Sequence, residues 1–522
     1  MSATRRDFLK TIGAATVGPA LLPRAAAAQQ GEIKPNVLVI MCDQLTARVM
    51  SCYGGPVATP HMDRIASEGV VFEEATCPTP VCSPSRASFV MGQYPHTHGI
   101  VTNVAGGRQK ERPPQPGLTP EDATTEKILH GDGYATHHYG KWHLEGAKPL
   151  PYYSDMYGPN DYGKEMEGRF EEVRKTDPSG WMRFYNWALP VDVAPSVRQA
   201  AAALGDKWAK VRYADFIVKM GRLTWPLKDH YDVRVADRTV KRLASLGDKP
   251  WMVTCSFIAP HDPNVAPSPY YEMFDPDKIE LPANRQTREE RFEKNWSRQI
   301  VADLGEPSLR EFLRIYYGMV KLIDDQVGRV LKALDETGKA DDTIVVFTAD
   351  HGDMAGGHGM VWKSTDAFYD DIARVPLMMR YSRRLKPGRM KIAACMSDIM
   401  PTLLELTGKA VPEGVQGKSL APFMAGQRPE SEAPPFSFSE RIPANRDGTR
   451  KVKPGTRGSF MIRGKGWKYI RYAQGDEYLY HLADDPGETK NLAAAQEHKA
   501  QKEGLSAELD GWLRRTGYPV SI

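Results

Sequence analysis

Cysteine is scarce in this chain. Six residues in 522 (Cys42, Cys52, Cys77, Cys82, Cys255 and Cys395) set no disulfide framework by their spacing, which excludes a small disulfide-stapled scaffold. Cys42 and Cys255 lie in apolar runs and read as buried thiols. Cys52 and Cys77 are read as free thiols in preference to a pair, which would need an oxidising compartment. Excess charge of one sign is equally scarce. A net charge of +4 admits an anionic substrate but is no nucleic-acid footprint, so no nucleic acid is expected as a partner. Runs of 18 apolar residues are absent, so no membrane span is expected in the mature chain. What remains, 41% hydrophobic and 26% charged residues over 522, suffices for one large α/β core plus a smaller domain.

The first 28 residues read as a targeting segment rather than as part of the fold. Thr4-Arg5-Arg6-Asp7-Phe8-Leu9-Lys10 is a twin-arginine pattern, and Ala25-Ala26-Ala27-Ala28 offers an A-x-A-like cleavage site. The weakly apolar stretch between them is broken by Gly13, Gly18 and Pro19 and is too short to span a bilayer. The expectation is export of a folded protein through the twin-arginine translocase, to the periplasm or outside the cell.

Three apolar runs end in groups able to do chemistry. Val37–Cys42 reads as a central strand buried on both faces, with Asp43 and Gln44 at its carboxyl end, where open α/β sheets bind ligands. These two oxygen donors suit a divalent cation; Asp43 as a cap on the following turn is the competing reading. Thr343–Thr348 is a second such strand and leads into Asp350-His351-Gly352-Asp353. If the two strands are neighbours, Asp350 and His351 approach Asp43 and Gln44. Trp251–Ile258 is a third, ending in Ala259-Pro260-His261-Asp262-Pro263, where two prolines hold His261 in place. A further strand runs into Gly140-Lys141-Trp142-His143. An ammonium and an imidazole two apart on an extended segment point the same way; together they clamp an oxyanion and protonate a leaving group.

Cys82-Ser83-Pro84-Ser85-Arg86 organises the rest. It follows a proline-punctuated loop and opens a helix of small residues. A cysteine at such a junction sits among unpaired backbone N–H groups, which favours its thiolate and an anionic substrate. Arg86, one turn on, reaches the same oxyanion. A cysteine in a surface loop is the plainer reading of the pattern by itself. His96 and His98 lie two apart, which suits a strand or turn with no carboxylate close by, so they read as structural. Asn103 and His358 are loop residues within reach of the pocket. Residues 150–235, rich in Tyr and Trp, carry a helix around 196–218 and read as a variable insertion. An amphipathic helix spans 313–337 and ends at Gly338. Past Pro412 the composition turns to Pro, Gly and charge. A hairpin over 466–482 then marks a C-terminal subdomain, 415–522, after a catalytic domain at 33–412.

The run C-[ST]-P-S-R with its following small residues and Gly92 resembles the maturation signature of the type I sulfatases. Gly140-Lys141-Trp142-His143, Trp362-Lys363, Asp398-Ile399-Met400-Pro401-Thr402 and Asp485-Pro486-Gly487-Glu488 extend the resemblance over nearly the whole chain. It implies an alkaline-phosphatase-like fold: a mixed, mostly parallel sheet sandwiched by helices, followed by a small antiparallel sheet. It implies that Cys82 is oxidised to formylglycine by a formylglycine-generating enzyme. Catalytic roles then fall on Cys82, Arg86, Lys141, His143, His261 and Lys363, with metal ligation by Asp43, Gln44, Asp350 and His351. The activity implied is release of sulfate from an organic sulfate ester, such as a sulfated carbohydrate. Most sulfatases read Asp-Asn where this chain has Asp350-His351. That change and Gln44 resemble the branch of choline sulfatases and phosphonate monoester hydrolases, so a phosphonate monoester or phosphodiester hydrolase is the alternative. A non-enzymatic, lectin-like receptor is a third reading, disfavoured by the intact site residues. Ca²⁺ is the first expectation for the metal; Mn²⁺ or another transition metal competes because imidazole is a poor ligand for Ca²⁺.

Overall fold

In the computed structural model, residues 34–519 are described except 105–114, 147–149, 178–180, 209–213, 364–366 and 446. The twin-arginine segment therefore lies outside the described residues. In chain order the strands are β1 (Asn36–Asp43), β2 (Val70–Phe72), β3 (Ala135–Gly140), β4 (Asp155–Tyr157), β5 (Trp181–Phe184), β6 (Trp187–Val193), β7 (Gly221–Leu223) and β8 (Trp251–Pro260). They continue with β9 (Val265–Pro267), β10 (Thr343–Ala349), β11 (Leu377–Arg380), β12 (Gly388–Met390), β13 (Ser437–Arg441), β14 (Ser459–Gly464), β15 (Trp467–Arg471) and β16 (Glu477–His481).

The main sheet has the order β12-β2-β11-β10-β1-β8-β3-β4. Every residue of β1 is buried, as is every residue of β8 and β10. That is the expected fate of continuous apolar runs covered on both faces. β1 lies between β10 and β8 and runs parallel to both, and β3 pairs parallel with β8. β11 is antiparallel to β10 and to β2, which makes the sheet mixed but mostly parallel. The helices Pro60–Glu68, Tyr231–Ser245 and Trp296–Glu336 pack together on it. Those at Cys82–Met91, Thr125–Gly131 and Ile399–Leu406 form a second group. Two smaller sheets accompany the large one: β5-β6-β7-β9, built mostly from the insertion, and the antiparallel β13-β14-β15-β16.

Several elements depart from the sequence reading. The helix expected at 313–337 begins at Trp296, where the Asn295 side chain accepts the Ser297 N–H. Gly305, at φ 77°, and Pro307 interrupt its first part, so regular periodicity starts only beyond them. The helix expected at 196–218 is two short ones, Pro195–Leu204 and Asp215–Val218, separated by Gly205 at φ 53°. The antiparallel sheet begins at Ser437, and the chain before it is tied back to the main body: the N–H groups of Gln416 and Gly417 both donate to the Gly92 carbonyl. Pro35–Ile522 forms one compact unit. The C-terminal helix Lys499–Thr516 was not legible beforehand; it stacks Trp512 on Phe438 at 4.7 Å between ring centres.

Candidate active site

Parallel pairing of β1 with β10 brings their carboxyl ends level, so Asp43 and Gln44 meet Asp350 and His351. The Gln44 N–H donates to Asp350 Oδ1 at 3.1 Å. The Gln44 Nε2 donates to Asp353 Oδ2 at 2.7 Å, which turns its Oε1 to accept from Lys363 Nζ at 2.9 Å. Asp353 is thus the residue that aims Gln44. Sequence reasoning missed it, although the spacing Asp350-x-x-Asp353 after a buried strand was the available signal.

Cys82 opens the Cys82–Met91 helix, every residue of which is buried. Its Sγ lies 3.2 Å from His351 Nε2 and 3.7 Å from Asp43 Oδ1. Asn103 reaches the same helix start, its Oδ1 accepting the Ser83 N–H at 3.1 Å. One donor atom each from Asp43, Cys82, Asp350 and His351 falls within 4.8 Å of the others. His351 Nδ1 is 2.9 Å from the Gly352 carbonyl, which orients Nε2 toward the centre. Two buried carboxylates, one aimed amide oxygen and one imidazole held from behind form a donor set that fits a divalent cation.

Cations ring this centre. Lys141, just past β3, pairs with Asp43 Oδ2. Lys363 Nζ lies 2.8 Å from His261 Nε2, and His261 Nδ1 lies 2.6 Å from the Asp262 carbonyl. Lys363 can only donate, so Nε2 accepts and the imidazole proton sits on Nδ1. Burial by itself would push the Cys82 thiol up, but Lys141, Lys363 and His351, with a hydrogen bond from His143, hold it well below the ordinary thiol value. Burial and Cys82 likewise work against ionisation of Asp43, yet Lys141, His261 and Arg86 keep it below the usual carboxylate range. Burial and the neighbouring Asp43 raise Asp350. His351, although burial opposes its charge, is lifted to about 9 by Asp350 and Cys82.

Not every expected residue acts as the sequence implied. Arg86 was expected to grip the substrate anion. Its Nε donates to Asp350 Oδ2 at 2.7 Å, its Nη1 to the Lys141 carbonyl at 2.7 Å and Ser256 Oγ at 2.8 Å, and its Nη2 to Asp43 Oδ2 at 3.3 Å. The guanidinium is spent on holding the site together. His143 does reach Cys82, but not by strand alternation: β3 stops at Gly140 and His143 has φ 61°. His96 and His98 lie on the short helix Pro95–His98, and a carboxylate does stand beside one of them: Glu440 Oε2 is 2.8 Å from His96 Nδ1. His98 Nε2 meets Ser88 Oγ at 2.9 Å. His358 stacks on Tyr369, with ring centres 3.6 Å apart.

Residues 35–409 match the family model described as Sulfatase. The chain belongs to the sulfatase family. It is a sulfuric ester hydrolase. Residues 356–514 also match a model described as N-sulphoglucosamine sulphohydrolase, C-terminal. An ulvan-active sulfatase of Formosa agariphila is 28% identical over 94% of this chain and 83% of its own length. A Delta 4,5-hexuronate-2-O-sulfatase of Bacteroides thetaiotaomicron is 29% identical over 95% of this chain and 92% of its own. The solved phosphonate monoester hydrolase of Silicibacter pomeroyi superposes with a TM-score of 0.70 at 24% identity, covering 92% of this chain and 96% of that one. That last likeness is one of fold.

Proposed function

We propose that this sulfatase releases sulfate from a sulfated carbohydrate, with residue 82, oxidised to formylglycine, as nucleophile. The observation that carries the reading is the position of Cys82 Sγ, 3.2 Å from His351 Nε2 and 3.7 Å from Asp43 Oδ1. The sulfur marks where the nucleophilic oxygen of the matured residue would stand. Hydrated formylglycine would offer two hydroxyls on one carbon, one to attack sulfur and one to expel sulfate as the aldehyde re-forms.

Lys141, Lys363 and His143 surround the space in front of that atom and neutralise the sulfate oxygens. His261 or His143 delivers a proton to the departing alcohol oxygen as the S–O bond breaks. His261 Nε2 accepts from Lys363 and carries no proton of its own, so this histidine can serve only by passing to the departing oxygen a proton it takes from Lys363. Arg86 positions Asp43 and Asp350 and does not touch substrate. A divalent metal held by Asp43, Gln44, Asp350 and His351 would polarise the ester and lower the pKa of the attacking hydroxyl; Ca²⁺ is the first candidate, Mn²⁺ or another transition metal the second. The carbohydrate class is supported by the ulvan and hexuronate activities of the two relatives. The amino-terminal pattern supports export through the twin-arginine translocase to the periplasm or beyond, after maturation by a formylglycine-generating enzyme.

Gln44 and the Asp350-His351 pair also favour a second reading, hydrolysis of phosphonate monoesters. Initial rates on a panel of sulfated mono- and oligosaccharides and on a phenyl phosphonate monoester separate the two. The expected result is sulfate released faster from at least one saccharide than phosphonate ester is cleaved; the reverse order across the whole panel sinks the proposal.

A further inference from the structure

The insertion places one aromatic residue, partly exposed, at the tip of a hairpin. β5 and β6 pair Phe184 with Trp187 and are joined by Tyr185 and Asn186 alone. Two-residue hairpin loops favour Asn, Asp or Gly where φ is positive. Here the positive φ, 51°, falls on Tyr185. The tip is held firmly: Arg174 Nη2 donates to the Asn186 carbonyl at 2.8 Å and Trp187 Nε1 to the Pro159 carbonyl at 3.3 Å. Phe184 and Trp187 on either side are buried, yet Tyr185 is 38% exposed. Both neighbours meet it at an angle, Phe184 at 74° and Trp187 at 42° between ring planes, so neither covers a face by stacking.

The hairpin stands beside the catalytic groups. The Phe184 and His261 rings are 6.3 Å apart. A narrow apolar cavity of about 40 Å³, lined by Phe184, Trp187, Trp225 and His261 among others, lies between the hairpin and the end of β8. Burial pushes the Tyr185 hydroxyl up to about 12, with Lys141 opposing and Asp43, Glu145 and Cys82 adding to the rise. The ring therefore stands at the mouth of the site, next to the Phe184 ring that meets the histidine assigned to the departing alcohol.

We propose that Tyr185 is a specificity-determining residue that stacks on the pyranose ring carrying the sulfate ester, with the β5–β6 hairpin as the wall that presents it. A sugar ring has an apolar C–H face that suits an aromatic platform, and a rigid hairpin supplies that platform with little ordering cost. The inference rests on the sulfatase reading above and adds the residue that selects the alcohol.

The test measures kcat and KM of wild type, Y185A and Y185F on the best pyranose monosulfate of the panel and on 4-nitrophenyl sulfate. The inhibition constant of inorganic sulfate, which has the anion but no ring, is measured alongside. Y185A is expected to raise KM for the pyranose sulfate about tenfold. Its inhibition by inorganic sulfate is expected to stay within twofold of wild type, and Y185F to keep a near-wild-type KM. An unchanged KM in Y185A, a parallel loss of sulfate inhibition, or a Y185F defect equal to that of Y185A would overturn the stacking role. A larger KM change on 4-nitrophenyl sulfate than on the sugar would overturn the pyranose assignment. Absence of sulfate release by wild type from every probe would instead fail the function beneath it.

Discussion

At the scale of single residues, burial decides what a charge does. Arg86 sits among two fully buried carboxylates and makes every one of its contacts inside the protein. Substituting it by Met takes the guanidinium from both carboxylates and leaves them the His351 imidazole and, for Asp43, Lys141 and His261. Breaking a buried pair by removing one partner costs about 3–5 kcal/mol. Denaturant titration of R86M should show a loss of that order together with loss of activity; a loss under about 1 kcal/mol would mean the pairs are not what holds the site. His358 gives a pH-dependent case. Burial, aided by Arg298 and Lys468, holds its imidazole down at about 3, against about 6.5 in an unfolded chain. Between those values the unfolded chain takes up a proton that the fold refuses. Its contribution is therefore present above pH 6.5 and lost as pH falls toward 3, by up to about 1.4 kcal/mol per pH unit. H358F should keep the ring stack on Tyr369 and flatten the fall in stability between pH 6 and 4; an identical pH profile would contradict the assignment. Most site residues were legible in the sequence because they follow a buried strand or sit at a helix start, whereas Lys363, in a loop, was read only from the resemblance. Roles were less so: the motif names Arg86 but cannot say that its donors face inward, and Asp353 has no meaning until Gln44 is seen to need aiming.

At the scale of elements, the strands were legible and the irregular helices were not. β1, β8 and β10 announce themselves as unbroken apolar runs. The helix Trp296–Glu336 hides its first part behind Gly305 and Pro307, where propensity argues against a helix and packing overrides it. The short helix Pro95–His98 was read as a strand or turn because two histidines two apart fit that period, and its partner lies 344 residues further on. That partner makes an element-level prediction. Burial works against a charge on His96, yet Glu440 raises its pKa above the ordinary value, and the pair ties the Pro95–His98 helix to β13. A histidine raised in this way stabilises fully below about pH 6.5 and loses that contribution as pH rises through its folded value. E440A should destabilise the fold by about 3–5 kcal/mol at pH 6. The difference from wild type should shrink at higher pH. A difference that grows with pH would contradict the pairing.

At the scale of the whole molecule, one sheet collects groups separated by hundreds of residues at the carboxyl ends of its central strands. Asp43 and Asp350 meet because β1 and β10 are parallel neighbours, and Lys141 and His261 arrive from β3 and β8 alongside. Such a crowded set of buried donors gains from a divalent cation. A metal that binds only the folded state stabilises it by about 2.7 kcal/mol at a hundredfold excess over its Kd. Stripping with a chelator should therefore lower the thermal midpoint, and adding back Ca²⁺ or Mn²⁺ should restore it, each in proportion to its affinity; a midpoint indifferent to chelator and to both ions would contradict the metal assignment. The sequence left the pairing of β1 with β10 as a condition, which the parallel register meets, whereas the insertion's own sheet, and Tyr185 at its tip, had no signature in the sequence. The most direct measurement is mass spectrometry of the tryptic peptide Ile65–Arg86, from protein made in a host that has the maturation enzyme. The account predicts an aldehyde in place of the thiol at residue 82. An intact Cys82 in protein that nevertheless releases sulfate over many turnovers would contradict it.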